Sequence, residues 1–533
     1  MHEHRECGKL KIAWVSPVPP AHTAIAKWSI LTIKELRKYT EIDVFTFQKA
    51  VDEKVQDEFT CFQLDDINCL ENYYNQYDVF IYNIGNNKEF HKEILLSSIL
   101  YPGISIMHDG IIQDLMLSFG ESKKECNFLY NVCEMIYGCH SFLEVINSIM
   151  EQKIKLNKSR EFTFIELIQQ TSLKVIVHSP AIIENKQASE NIALLNLSIP
   201  VETEKSIDRD YSPPYNILIF GYLSYNRRME QFLEYFSEFD RKSMFQITIM
   251  GKYDNHIINL IKKLKIESYV YLIGYTSEKD FEETLSNAHF AINLRYPTMN
   301  EASMSQLEIF SHSLPSMVTD KGFYSYLPDK TVKKISVENE REDVLNTLRD
   351  FCENPYKYKI MGKEGFDYLI TNHSVKKYAQ KLYEEIHETL NNKSNKKVAT
   401  RIDRDSSIFY NDTFSVETIT KEYINILKCK MGNRPLFIWG TGKGGQKAVE
   451  ILTSNNIEVK GFIDNNLDAL GTKVCDLDVY SFELYITKLI EKPYILISTM
   501  YFMEVEKQIL NRGYNNKDYS IHLTIFPFFC LLS

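Results

Sequence analysis

The chain has 533 residues, too many for one hydrophobic core and enough for three domains of ordinary size. Apolar residues make up 44% of it and the formal net charge is -10, which allows large cores and argues against a general nucleic-acid binder. The ten cysteines contain no CxxC and no Cys/His cluster. The closest set, Cys126, Cys133 and Cys139, fits neither zinc fingers nor ribbons, so the thiols are expected free in a reducing cytosol. The start, "MHEHRECGKLKIAWV", has charges where a signal peptide needs an apolar run, and no run of about 18 apolar residues occurs. The closing "IHLTIFPFFCLLS" is too short to span a bilayer and is expected as a buried terminal strand, with membrane contact as the alternative. A soluble intracellular protein is the expectation.

Short apolar runs alternate with helical patterns, the signature of α/β units with parallel sheets. The first series is "LKIAWVSP", "IDVFTF", "DVFIYNIG", "ISIMHD" and "KVIVHSP". Between the last two, residues 112–170 are helical in pattern and rich in aromatics. Charge and paired prolines interrupt the periodicity at "SIDRDYSPP", residues 206–214. A second series follows: "YNILIFGYL", "FQITIMG", "VYLIGY", "FAINLRY" and "PSMVTD". Residues 374–392 read as a long amphipathic helix closing that second unit, and "NKSNKKVATRIDRDSS" as a polar linker. A third strand–turn–helix series starts at "RPLFIWGTGKGGQKAVEIL". The expected domains are therefore 1–205, 206–392, a linker at 393–431, and 432–533. Two α/β halves facing each other place a ligand at the carboxyl ends of their strands.

In the second half, "NILIFGYLSYNRRMEQFLEYF" is a strand, a turn at Gly221, and a helix whose start carries Arg227 and Arg228. Basic residues beside a strand-to-helix turn suit a phosphate, although a surface helix with two arginines reads the same way. Further on, "NLRYPTMNEASMSQLEIFSHSLPSMVTD" places Arg295 and a proline turn before Ser303, which forms an S-x-x-Q capping box with Gln306. A phosphate on that helix N-terminus would have Arg295 or Arg227 nearby. Glu301, just outside, can accept hydrogen bonds from hydroxyls. Glu308 lies roughly 7–8 Å further along at ~1.5 Å per residue, which suits a ribose beyond a diphosphate. The bland readings are a dipole-favoured carboxylate for Glu301 and a solvated one for Glu308.

The order "FGYLSYNRR", "YLIGYTSEKDFEETLSNAHFAINLRYPTMNEAS", "SLPSMVTDKGFYSYLP" resembles the donor domain of GT-B retaining glycosyltransferases of the family 4 type. "KIAWVSPVPPAHTAIAKWS", "YNIGNNKEFH", "PGISIMHDGIIQDL" and "VIVHSP" extend the resemblance over about residues 9–390. It implies a GT-B fold, with two facing Rossmann-like domains. It gives Arg227 the donor diphosphate, Glu308 the ribose and Glu301 the donor sugar, in an E-x6-E spacing one residue shorter than the common motif. Tyr222 stands where the family often has an arginine, Ala24 where its first loop has a glycine, and Asn300 and Met304 where a subgroup has glycines. Arg295 or Arg228 would then supply the second diphosphate contact. His108, with Asp109 at the same strand end, would face the transferred sugar; Asp109 also reads as a helix cap. His91 reads as a weaker candidate and His178 as structural. Ala24 to Trp28 form the loop expected near the diphosphate.

The implied enzyme is a retaining, metal-independent glycosyltransferase of hexosyltransferase type. Its donor is a UDP- or GDP-type sugar, and its acceptor a glycan, lipid-linked or protein acceptor in surface polysaccharide or glycoconjugate synthesis. No further cofactor is required. The expected setting is cytoplasmic, with peripheral attachment at the inner face of the membrane as a candidate. In the third unit, Gly440, Gly442 and Gly445 form G-x-G-x-x-G after a strand, with Asp464 ending the next one. That context suits a dinucleotide or nucleotide sugar in a smaller Rossmann-like domain, or a scaffold with a tight turn. Two alternatives stay open: a GT-B scaffold that binds without turnover, and a bifunctional enzyme whose third domain modifies a nucleotide sugar.

Overall fold

The structure is a computed structural model. It describes residues 9–392 and 415–521, apart from 121, 139–141, 155–160, 185–190, 202–208, 222, 224, 254, 275, 500, 501 and 516. Cys139, Tyr222, most of the expected linker and nearly all of the apolar tail lie outside the described residues. The chain forms two compact units, Met1–Ile112 with Thr163–Arg404, and Gln113–Phe162 with Asp405–Ser533.

The first unit contains two parallel sheets. One comprises β1 (Lys11–Val15), β2 (Glu41–Thr46), β3 (Cys61–Gln63), β4 (Val79–Ile84), β5 (Ile104–Met107), β6 (Lys174–Val177) and β7 (Ile192–Leu194), in the order β3-β2-β1-β4-β5-β6-β7. The other comprises β8 (Tyr215–Phe220), β9 (Phe245–Met250), β10 (Val270–Ile273), β11 (Phe290–Asn293), β12 (Ser316–Thr319) and β13 (Lys333–Ile335), in the order β10-β9-β8-β11-β12-β13. Helices cover both faces of such sheets, so the central strands are apolar without alternation. In β4, "VFIYNI" is buried at every position. The strand order reverses between β1 and β4 and between β8 and β11. Crevices open at such points beyond the carboxyl ends of the strands.

Helix Val375–Asn391 departs from expectation. It packs against the first half: Tyr378 meets Trp28 edge-on at 5.3 Å, Tyr383 stacks on Tyr39, and Lys174 pairs with Glu385 at 3.2 Å. Tyr378, Ala379, Leu382 and Ile386 join a core that runs from Ile12, Trp14, Ile33 and Ile81 of the first half to Leu307, Phe310 and Val318 of the second. Amphipathic spacing fixes which face is buried and leaves open which sheet buries it.

In the second unit, β14 (Leu436–Trp439), β15 (Val459–Ile463), β16 (Lys473–Val474), β17 (Leu477–Tyr480), β18 (Tyr494–Ile497) and β19 (Tyr519–Ile521) form a mixed sheet in the order β16-β17-β15-β14-β18-β19. Only the β16–β17 pair is antiparallel. Residues 113–162, read above as part of the first half, cluster with this unit, and their helix Phe142–Ile154 packs against helix Val416–Met431. That second helix falls in the stretch read as linker. Ser415 caps it by accepting from the Thr418 amide. No helix among the described residues is long and apolar enough to cross a membrane. The described cysteines are free thiols.

Candidate functional site

The candidate site starts where β8 ends. Gly221 turns the chain at φ 105°, and a Cβ there would lie 2.8 Å from Arg227 Nη2 and 3.6 Å from Ser305 Oγ. The turn therefore requires glycine twice, for its left-handed backbone and for the room Arg227 occupies. Arg227 is 8% exposed and donates from Nη1 to Asn293 Oδ1 (2.7 Å) and from Nη2 to Ser305 Oγ (3.1 Å). Burial, and then the neighbouring Arg295, push its pKa down to about 10, still protonated at neutral pH.

Beyond β11, Ser303 caps helix Met304–Ser311 by accepting from the Gln306 amide at 3.2 Å. The capping box is half used: the Gln306 side chain turns away from Ser303 to Asn293 and Ser316. Arg295 forms an ion pair with Glu301 through Nη1 and Oε1. Glu301 Oε2 accepts from the Met299 amide at 2.7 Å. Burial opposes the Arg295 charge, yet Glu301, Tyr324 and Asp109 hold its pKa above the ordinary arginine value. Its Nε is buried with no hydrogen-bond partner among the described residues. Glu308 is pushed up to about 7 by burial. Lys27 opposes that shift, Glu282 adds to it, and Arg227 opposes it. Lys27 thus reaches this region from the first half, and it also pairs at 2.5 Å with Glu278 of the second half.

The first half contributes the ends of β1, β4 and β5. Ala24 opens helix Ala24–Leu36, which Thr23 caps. Trp28 is core: it is buried and packs edge-on against His108 (4.8 Å), His178 (5.5 Å) and Tyr378. His108 Nε2 donates to Asn83 Oδ1 at 3.1 Å. Burial and the neighbouring His178 and His91 hold it well below the usual imidazole range, so it is neutral at pH 7. Asp109 accepts from the Asn86 amide at 2.8 Å, ordering the turn before helix Lys88–Leu100. Gly110 then donates from its amide to Met299 O at 3.0 Å, which brings the His108–Asp109 strand end against the Glu301 loop. His91 and His178 are buried, and each donates from Nδ1 to a backbone carbonyl, of Asn83 and Leu195 respectively.

Arg228 is not brought into this group. Its guanidinium forks onto Glu340 at 2.8 and 3.0 Å, and Tyr235 also donates to that carboxylate. Arg227, Arg295, Glu301, Ser303 and Glu308 do share one neighbourhood, with His108 and Asp109 across from them. Sequence reasoning missed Lys27, Asn83, Asn293 and Ser305. Only Lys27 carried a signal, inside the loop expected near a diphosphate. Chemically, two arginines beside a helix N-terminus suit an anion, and flanking carboxylates suit hydroxyls.

In the second unit, Gly440 has φ 114°, and a Cβ on Gly445 would lie 1.9 Å from Gly440 O, so strand and helix approach closely. Helix Lys443–Ser454 starts at Gly442 without a side-chain cap. Asp464 is tied to the turn itself: Oδ2 accepts from Thr441 Oγ1 (2.7 Å) and Oδ1 from the Asn466 amide (2.9 Å). Among the described residues no group of three or more His, Cys, Asp or Glu side chains is placed to hold a metal.

Residues 201–368 match the family described as Glycosyl transferases group 1, and residues 432–519 match C2185-like, N-terminal. No curated protein matches the chain. Among solved structures, the chain is similar to Anabaena HepE in complex with UDP and glucose, at 12% identity and a TM-score of 0.50, covering 71% of this chain and 100% of that one. It is also similar to sucrose-phosphate synthase from Thermosynechococcus elongatus, at 11% identity and a TM-score of 0.51, covering 71% and 99%. The two parallel sheets of the first unit have the GT-B fold.

Proposed function

We propose that the protein is a retaining glycosyltransferase that moves a sugar from a nucleoside diphosphate to a glycan, lipid-linked or protein acceptor in surface polysaccharide or glycoconjugate synthesis. One observation carries this reading: Arg227 and Arg295 converge at the start of helix Met304–Ser311, with Glu301 and Glu308 on the same segment. The diphosphate would sit on the arginines and the helix N-terminus. The charge growing on the leaving group would then meet fixed positive groups, without a metal ion. Glu308 would accept from the ribose and Glu301 from the donor sugar. His108, neutral and anchored by Asn83, would offer a hydrogen bond to that sugar and not a cation. That HepE binds UDP and glucose in the same fold supports a UDP-type donor.

The test is transfer and donor hydrolysis across a panel of UDP- and GDP-sugars, with and without a chelator. Arg227→Ala is expected to lower kcat by about 10²–10³, the usual effect of removing one fixed donor to developing charge. Chelation is expected to leave the rate unchanged. A rate that collapses in chelator, or an Arg227→Ala enzyme as fast as wild type, refutes the proposal. A second reading, binding without turnover, is favoured by Glu301, both of whose oxygens are already engaged by Arg295 and Met299. Tight donor binding with no transfer to any acceptor would select it. For the second unit we propose that the Gly440–Gly445 turn, with Asp464, takes a dinucleotide or nucleotide sugar, to be tested by mass spectrometry of co-purified ligand.

A further inference from the structure

Arg227 is held by a chain of neutral groups that runs through three elements. Its Nη1 donates to Asn293 Oδ1 at 2.7 Å, Asn293 Nδ2 donates to Gln306 Oε1 at 2.9 Å, and Gln306 Nε2 donates to Ser316 Oγ at 2.9 Å. The links come from the last residue of β11, the first turn and a half of helix Met304–Ser311, and the first residue of β12. Asn293 is 3% exposed, and Gln306 and Ser316 are fully buried.

The direction of the chain is fixed by chemistry. A guanidinium has donors and no acceptor, so Asn293 must present its oxygen to Arg227 and its NH₂ to Gln306. Gln306 must then accept with its oxygen and donate onward to Ser316. Each amide is thereby locked in one orientation, and a flip anywhere would leave buried donors facing donors. Ser305 Oγ takes the second terminal nitrogen of Arg227 from the start of the same helix. The guanidinium plane is thus registered to the helix N-terminus by the helix itself. An asparagine does this without adding negative charge. An aspartate in its place would reach the same atom and cancel the charge a diphosphate needs.

We infer that Asn293, oriented by Gln306 and Ser316, is a positioning residue that aims Arg227 at the phosphates while leaving its charge available to them. This rests on the donor-site reading of Arg227 above. The experiment measures dissociation constants for UDP and GDP by calorimetry in wild type, Arg227→Ala, Asn293→Ala and the double variant, with melting curves as the fold control. Asn293→Ala is expected to weaken the diphosphate that binds wild type by about tenfold, and to have little further effect once Arg227 is already alanine, because coupled residues are non-additive. Asn293→Asp keeps volume and the oxygen facing Arg227. With a carboxylate at 293 the Gln306 amide can reverse, donating to it and accepting from the Ser316 hydroxyl, so the variant is expected to melt near wild type and to lose affinity by a similar factor. If Asn293→Asp binds as tightly as wild type, or Asn293→Ala costs the same with and without Arg227, the inference is overturned while the donor site stands. If wild type binds neither nucleotide, the donor-site reading falls and takes this inference with it.

Discussion

Glu308 has its ionisation balanced near neutrality. Burial raises its pKa to about 7 against the opposition of Lys27 and Arg227. Between its ordinary value and about 7 the folded protein holds a proton that the unfolded chain has released, so this group makes stability fall as pH rises through that window. In the ribose role proposed for Glu308, ligand binding runs the other way, because the hydroxyl is best held by the carboxylate as acceptor. Affinity for UDP-glucose, whose diphosphate has no group titrating near pH 7, is expected to increase from pH 6 to pH 8. Glu308→Gln should flatten that rise. A wild-type affinity that is constant or falls over this range would remove Glu308 from the ribose role. At this scale the charged residues were legible: an arginine after a turn and two carboxylates at helical spacing signal a charge-binding function in one dimension. Asn293 and Asn83 were not, because a neutral amide ending a strand looks like any other strand end until its partners are placed. Arg228 carried the same signal as Arg227, and its partner Glu340, 112 residues away, is what separates the two.

Helix Met304–Ser311 is only eight residues long, too short to persist on propensity alone, so its cap and its packing define it. Ser303→Ala removes the acceptor for the Gln306 amide and is expected to cost about 1 kcal/mol, read from denaturant melts. The loss should be larger than for an exposed cap, since Gln306 and Leu307 are fully buried and shift with the helix start. A loss below about 0.3 kcal/mol would mean that packing alone holds the helix in register. The S-x-x-Q pattern made the cap legible, while its reciprocal half was misleading. Pairing Gln306 back to Ser303 is the local solution, and a buried chain from Arg227 to Ser316 competes successfully for the same amide. Strands were legible for a related reason. Continuous runs such as "VFIYNI" and "YNILIF" need burial on both faces, which parallel sheets under helices provide.

At the scale of the molecule, connectivity along the chain and packing in space part company, and sequence periodicity reports only the first. Residues 113–162 lie between two strands of the first sheet yet cluster with the C-terminal unit. Helix Val375–Asn391 follows the second sheet yet completes the core of the first. The backbone changes halves beside Ser374, where His373 donates to Leu197 O and Ile199 bridges Ser374. Leu382 is fully buried in that shared core. Leu382→Ala is therefore expected to cost about 2–5 kcal/mol, as large-to-small changes in cores do. The loss should appear in the calorimetric transition of this first unit, read against the fluorescence of Trp14 and Trp28. The same helix carries Tyr378, which packs against Trp28 and His178, the rings that neighbour His108. Loosening it should thus lower the proposed sugar transfer before it unfolds the protein. A Leu382→Ala protein that melts like wild type, leaving tryptophan fluorescence unchanged, would show that the helix does not stabilise the sheet it touches.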